Sequence, residues 1–284
     1  MDKYKKHIMG DASEEPMPLY IIPDRKVSLA DVREGMRNHY EGTELSMTND
    51  PGAGAYKVPY RWRPMTFKSE GREYFNERAI ATQQTGFVLI AQMRSWLPDA
   101  VGGILWFGVD DANTAVLTPM YASITEIPEC YRRGNGSMTE FSWTSAFWIH
   151  NWVANMAYNR YEPMIRDIRP VQKELEDSYV DLVKNTDAKA LELLKSSPAQ
   201  ATAYLTEVCG KVANEATARW KKLGEYLLVK YMDGNVKKEK DGKFEENGYG
   251  QIVSPNFPGY SQEYYDQVAK SEEAKHLEVP KKDK

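Results

Sequence analysis

The run Gly103-Ile-Leu-Trp-Phe-Gly-Val109 contains no polar side chain. It is strand-sized, and successive strand residues point to opposite faces. Ile104 and Trp106 therefore face one way, Leu105 and Phe107 the other, and both faces are apolar. Such a strand belongs in the middle of a sheet that is covered on both sides. Residues 87–93 alternate beside it, with Phe87, Leu89, Ala91 and Met93 on one side and Gln92 breaking the other. The expected dry face of this strand is the Phe87 side. Asp110-Asp-Ala-Asn113 reads as a turn, and residues 115–121 return as a third strand. Pro119 places that strand at an edge or bulge. No helical period separates the three, so the pattern is an antiparallel meander.

The character of the chain changes near residue 140. Before it, Gly and Pro are frequent and apolar runs are short. Ser28 is a helix cap with Asp31 three residues on, for a helix over residues 29–40 whose apolar face is Leu29, Val32, Met36 and Tyr40. Gly42 is its stop, and Asn49-Asp-Pro-Gly-Ala-Gly54 is a loop. After residue 140, helical periods dominate. One helix is expected over 145–161, with Trp148, Trp152 and Met156 on a face widened by Ile149, Val153 and Ala157. Pro163 ends or kinks it. A second follows through Ile168, Val171, Leu175, Tyr179 and Leu182, then a short one over 188–194, then a long one from Pro198 to about Tyr231. The result is an α+β chain, with antiparallel strands at about 60–125 and long helices at about 143–232. Residues 1–235 form the folded portion, and 236–284 read as a loosely packed polar tail, disordered in part.

Composition narrows the function. The 284 residues carry a formal charge of −4 and are 12% aromatic, which argues against a disordered chain and against a general nucleic-acid binder. No run of about 18 apolar residues suggests a membrane span. The polar start lacks the apolar run of a secretory signal, and both a cytoplasmic and an exported location stay open. The four histidines have no metal-ligand spacing and the two cysteines form no CxxC pair, so neither metal nor cofactor is expected. His150 is expected to hydrogen-bond within the helix packing. Cys209 lies on an apolar helix side and reads as core. Cys130 sits near Arg132 and Arg133, which would lower a thiol pKa. A hydrolase using Cys130 is one alternative, and a half-buried structural cysteine is the other. Asp110 and Asp111 could split their pKa values as paired carboxylates, but adjacent strand residues diverge and the turn reading is preferred. The densest polar stretch is 76–85. Buried amides and an arginine there are costly unless used. Asn76, Arg78 and Gln83 suit oxyanion stabilisation or carboxylate capture, and Asn76 and Arg78 are expected to face a shared cleft.

A set of motifs carries a resemblance. Tyr60-Arg-Trp-Arg-Pro-Met-Thr66, Asn76-Glu-Arg-Ala-Ile-Ala-Thr-Gln-Gln-Thr-Gly86, Gln92-Met-Arg-Ser-Trp-Leu-Pro98, Gly102-Gly-Ile-Leu-Trp-Phe-Gly-Val-Asp-Asp111, Thr118-Pro-Met-Tyr121 and Phe141-Ser-Trp-Thr-Ser-Ala-Phe-Trp148 together resemble the dipeptidase A (secernin-like) family of cysteine-type N-terminal nucleophile hydrolases. The likeness returns at Trp220-Lys-Lys-Leu-Gly-Glu-Tyr226 and covers about residues 17–250. It implies an αββα sandwich and hydrolysis of dipeptides by an N-terminal cysteine, with the free α-amino group as base and amide donors holding the oxyanion. Asn76, Arg78 and Gln83 are the expected oxyanion or substrate-orienting groups, and Arg63, Thr82 and Gln84 the expected substrate contacts. Nothing before Asp11 matches the family's nucleophile region, and Cys130 lies too far along to be that nucleophile. The expectation is the C-terminal half of a dipeptidase, inactive alone. Its partners would be a dipeptide, the missing N-terminal half of the same protein and, as an option, further copies of the chain. A stand-alone peptide- or partner-binding domain is the other reading; an uncovered apolar sheet face would favour the half-enzyme.

Overall fold

The computed structural model describes residues 4–9, 11, 17–62, 64–253 and 255–279. A single turn, α1 (Lys5–Ile8), precedes α2 (Leu29–Met36). Ser28 caps α2 as expected: its hydroxyl accepts from the Asp31 N–H at 3.2 Å, and the Asp31 carboxylate accepts from the Ser28 N–H at 2.7 Å. The helix stops short of Tyr40. The Asn38 side chain accepts the Tyr40 N–H at 2.7 Å, and Tyr40 takes a φ of +63°, so a local side-chain bond replaces the helical one. The buried face also differs from expectation. Val32 is exposed, while Arg33 and Arg37 point inward.

Strands β1 (Thr66–Ser69) and β2 (Arg72–Phe75) form an exposed hairpin. Glu70 and Gly71 at its tip both have positive φ, which suits the right-handed strand twist. The main sheet is β3 (Phe87–Met93), β4 (Gly103–Val109) and β5 (Thr118–Tyr121), antiparallel in that order, with a one-turn helix α3 (Asp99–Gly102) before β4. The central place of β4 and the edge place of Pro119 agree with the sequence pattern. Gly108 is required: a Cβ there would stand 2.9 Å from both the Leu117 side chain and the Val116 carbonyl oxygen.

The faces of β3 are reversed from expectation. Val88 is buried, as are Ile104 and Trp106 of β4, which pair with Gln92 and Ile90 on the same face. Gln92 belongs to this packed face because its side-chain oxygen accepts the Trp106 indole N–H at 2.9 Å. The Arg33 guanidinium lies 5.7 Å from the Trp106 ring, so α2 sits on this side. On the other side Phe87, Leu89 and Met93 are 61%, 40% and 69% exposed. One side of the apolar strand β4 is thus only half covered.

Three helices follow: α4 (Ala146–Asn159), α5 (Tyr161–Ser196) and α6 (Pro198–Tyr231). Helices α5 and α6 pack together, α6 runs along β5, and α4 packs on α6. Ile149, Val153 and Ala157 are the buried face of α4, while Trp148, Trp152 and Met156 lie at its margin. The chain breaks between α4 and α5 at Arg160 (φ −147°, ψ 57°). Pro163 falls in the first turn of α5, where a missing N–H leaves no bond unmade. The expected separate helix at 188–194 is instead the end of α5, which runs unbroken past Pro170. Buried Thr186 and Ala190 hold that region in helical form against its neighbours. Beyond α6, β6 (Glu239–Lys240) and β7 (Lys243–Phe244) make a short hairpin whose Phe244 stacks on Tyr226. Helix α7 (Gln262–Ala269) follows, and Tyr260 meets Tyr56 at 5.4 Å.

Glu176 of α5 ties these parts together. Its buried carboxylate accepts from Arg33 at 3.0 Å, from Arg37, and from the Leu117 backbone N–H at 2.9 Å. Gln172, one turn earlier, donates to the Ala115 carbonyl at 2.7 Å. Removing one member of a buried ion cluster strands the others and costs roughly 3–5 kcal/mol. Glu176→Ala is expected to lower unfolding free energy in urea by an amount of that order; a loss below about 1 kcal/mol would contradict the clamp.

Candidate functional site

Among the expected site residues, Asn76 staples a loop: its amide donates to the carbonyls of Trp62 at 2.6 Å and Pro64 at 2.8 Å. Arg78 is exposed and donates to the side-chain oxygen of exposed Gln84 at 2.7 Å. Thr82 is buried at a turn closed by Thr85, whose N–H and hydroxyl both donate to the Thr82 carbonyl. Gln83 is buried, and its side-chain oxygen has no hydrogen-bond partner. Arg63 lies outside the described residues. The structure pairs Arg78 with Gln84 and leaves Gln83 alone with an unanswered acceptor.

Asp110, expected as part of a turn, holds a second open acceptor. It ends β4 with a φ of +67°, a left-handed conformation that Asp tolerates better than most residues. Its N–H donates to the Gly86 carbonyl at 2.9 Å, which sets the strand end beside the 82–86 turn. Its carboxyl is 2% exposed. One oxygen accepts from Asn151 of α4 at 2.8 Å and the other has no partner. Burial pushes this carboxyl up to about 7.

Asp111 is fully occupied. One oxygen accepts the Thr114 N–H at 3.0 Å and hydroxyl at 2.8 Å; the other accepts the Tyr158 hydroxyl at 3.1 Å. The network continues from Tyr158 to His39 at 3.1 Å, from His39 to Asn113 at 3.2 Å, and from the Tyr161 hydroxyl to Asn113 at 3.2 Å. Two adjacent carboxylates therefore have two roles. Asp111 anchors a buried network, and Asp110 keeps an open acceptor at the end of the sheet. A pair of acids closing an apolar strand was the available signal. The αL backbone that turns Asp110 inward leaves no trace in a single sequence.

Cys130 is 3% exposed, and its N–H donates to Asn214 at 3.1 Å. Burial pushes its thiol up, not down. Arg132 does not lower it; its guanidinium pairs with Glu129 at 2.7 Å. The arrangement opposes thiolate formation, so the Cys130 hydrolase loses its physical basis. Cys209 is buried on α6 and burial pushes it to about 11. His150 departs from expectation: it stacks on Trp220 at 5.0 Å, and its Nδ1 has no partner. Among the described residues, no group of three or more His, Cys, Asp or Glu could hold a metal ion. No helix among them is long and apolar enough to cross a membrane.

Next to the end of β4 is a cavity of about 340 Å³. Phe107, Val109, Tyr131, Phe147 and Trp148 supply most of its apolar lining.

Two outcomes check this description. Asp110 ionises near 3.8 in an unfolded chain and near 7 when folded, so between those values the folded state binds more protons. Its contribution to stability is present at low pH and is lost as pH rises through about 7. Asp110→Asn should therefore gain on the unmodified chain by at least about 1 kcal/mol between pH 5 and pH 8 in urea unfolding; an unchanged difference would contradict the buried carboxyl. Cys130 should resist iodoacetamide at pH 7 in the native chain and react once unfolded, as read by mass spectrometry. Rapid native labelling would contradict its burial.

The family model described as Peptidase family C69 matches residues 1–174. The chain is 26% identical over 233 residues to "Probable dipeptidase B" of Lactococcus lactis subsp. lactis (strain IL1403), a match covering 80% of this chain and 44% of that protein. It is 26% identical over 220 residues to "Probable dipeptidase" of Latilactobacillus sakei, covering 75% and 41%. "Dipeptidase A" of Lactobacillus helveticus is 22% identical over 172 residues, covering 60% and 30%. The chain spans less than half the length of these curated relatives.

Proposed function

Because the chain belongs to peptidase family C69, we propose that it is the C-terminal part of a dipeptidase whose nucleophilic cysteine lies on a segment outside this chain. The observation that carries this reading is the uncovered face of the main sheet. Phe87, Leu89 and Met93 are exposed on strand β3, which is itself an edge of that sheet. Contiguous exposed apolar surface marks an interaction site, and an open edge strand invites pairing. An αββα sandwich places a second sheet over such a face, and that second sheet belongs to the nucleophile-bearing segment.

In the assembled enzyme the thiol of that segment attacks the dipeptide carbonyl, with the free α-amino group of the same residue taking the proton. Hydrogen-bond donors hold the developing oxyanion. This chain supplies the wall of the site. Asp110 brings a buried, unanswered acceptor to the end of the sheet. Buried, high-pKa Cys130 takes no part in attack.

Co-expression with the nucleophile-bearing segment encoded upstream tests the reading. The pair should hydrolyse dipeptides, activity should vanish when the cysteine of the added segment becomes alanine, and this chain alone should turn over nothing. Hydrolysis by this chain alone, or an inactive pair, would overturn it.

A further inference from the structure

The cavity beside β4 has walls fixed by contacts of their own. Its walls are held from behind. The Trp148 indole N–H donates to the Ser137 carbonyl at 3.0 Å. Gly136 makes room for that ring: its φ is +81°, and a Cβ there would lie 3.0 Å from Trp148 Cδ1. Phe147 meets Trp148 edge-on at 5.5 Å. Across the cavity, Phe107 and Tyr131 are edge-on at 5.0 Å, and the Tyr131 hydroxyl lies 3.1 Å from that of Thr118. Four aromatic rings are thus fixed before any ligand arrives. Preformed, mostly apolar pockets of this size lie at the small end of ligand sites, about 300–1,000 Å³.

The cavity also has a defined polar edge and a defined outlook. Arg132 lines it and is exposed, with one nitrogen on Glu129. Phe107 stacks on exposed Phe87 at 6.1 Å, so the cavity wall is continuous with the uncovered sheet face. A ligand here would lie between this chain and whatever covers that face. Asn151, the holder of Asp110, is one turn beyond Trp148 on α4.

We propose that this cavity is the specificity pocket for a bulky apolar side chain of a dipeptide, with Arg132 at its edge receiving the free carboxylate. The inference deepens the dipeptidase reading and rests on it for the substrate class. Rings and aliphatic groups exclude water from the four aromatic walls, whereas Gly or acidic side chains gain nothing there. A guanidinium can offer two parallel N–H bonds to a carboxylate, so it recognises a free C-terminus. This combination selects a small peptide acid over an uncharged apolar molecule.

Calorimetric titration of this chain with Leu-Phe, Gly-Gly, Asp-Glu and Leu-Phe amide tests it without turnover. Leu-Phe is expected to bind at least about tenfold more tightly than Gly-Gly or Asp-Glu. Leu-Phe amide is expected to bind more weakly, and Arg132→Met is expected to erase the difference between acid and amide. Val109→Trp, which fills the cavity, is expected to remove the Leu-Phe preference. Because that variant risks misfolding, the unmodified chain carries an independent readout: the Trp148 indole N–H resonance, assigned through Trp148→Phe, should shift with Leu-Phe and not with Gly-Gly. Absent binding, equal affinities for all four ligands, or an unmoved Trp148 signal would overturn the pocket. An inactive co-expressed pair together with selective Leu-Phe binding would sink the dipeptidase reading and leave the pocket standing. Active but unselective hydrolysis would do the reverse.

Discussion

One buried carboxylate ties α2, α5 and the lead into β5 together. Glu176 sits in the middle of a 36-residue helix and gathers two arginines and a backbone N–H. Arg33 lies on α2 and Arg37 just beyond its end, both more than a hundred residues earlier, and the N–H comes from the lead into β5. Charges out of water need full partnership, and a partly satisfied cluster is worse than an apolar one. Satisfying Glu176 therefore fixes α2 on the packed face of the sheet and β5 beside the helices at once. It also explains why a short helix with an apparently apolar stripe buries its arginines: the carboxylate gains more from them than the core gains from Val32.

That clamp covers one face of the sheet and leaves the other to something else. The run at 103–109 announced a strand that is apolar on both sides, and the structure places it centrally. Its Trp106 side is closed, while its Phe107 side shares a half-open surface with Phe87, Leu89 and Met93. The proposal that a nucleophile-bearing segment covers this surface accounts for that asymmetry. It also gives the aromatic cavity at the end of β4 a place in the same interface.

Elements whose chemistry is local were legible in the sequence. The bounds of β3 and of α6 match the pattern, because alternation and a Ser197-Pro198 start are properties of adjacent residues. What failed depended on remote partners. Gln92 looked like a break in the apolar character of one face, yet it is the acceptor for the Trp106 indole. The length of α5 exceeded expectation: residues 188–194, read as a separate short helix, continue it because packing overrode local propensity. At the site, the polar content of 76–85 was visible, but its division was not. Asn76 serves carbonyls of its own loop, Arg78 and Gln84 serve each other, and only Gln83 keeps an open acceptor. Asp110 and Asp111 are indistinguishable as letters; the three-dimensional neighbours Asn151, Thr114 and Tyr158 separate them.

The central claim is that the Phe87 face of the main sheet is an interior surface of a larger enzyme. Hydrogen exchange of the β3 amides, residues 87–93, measures this directly, with this chain alone and with the nucleophile-bearing segment bound. The account predicts that exchange across β3 slows by at least about tenfold in the complex, as expected for an edge that becomes buried. Identical β3 exchange in the free chain and in a stable, active complex would contradict it.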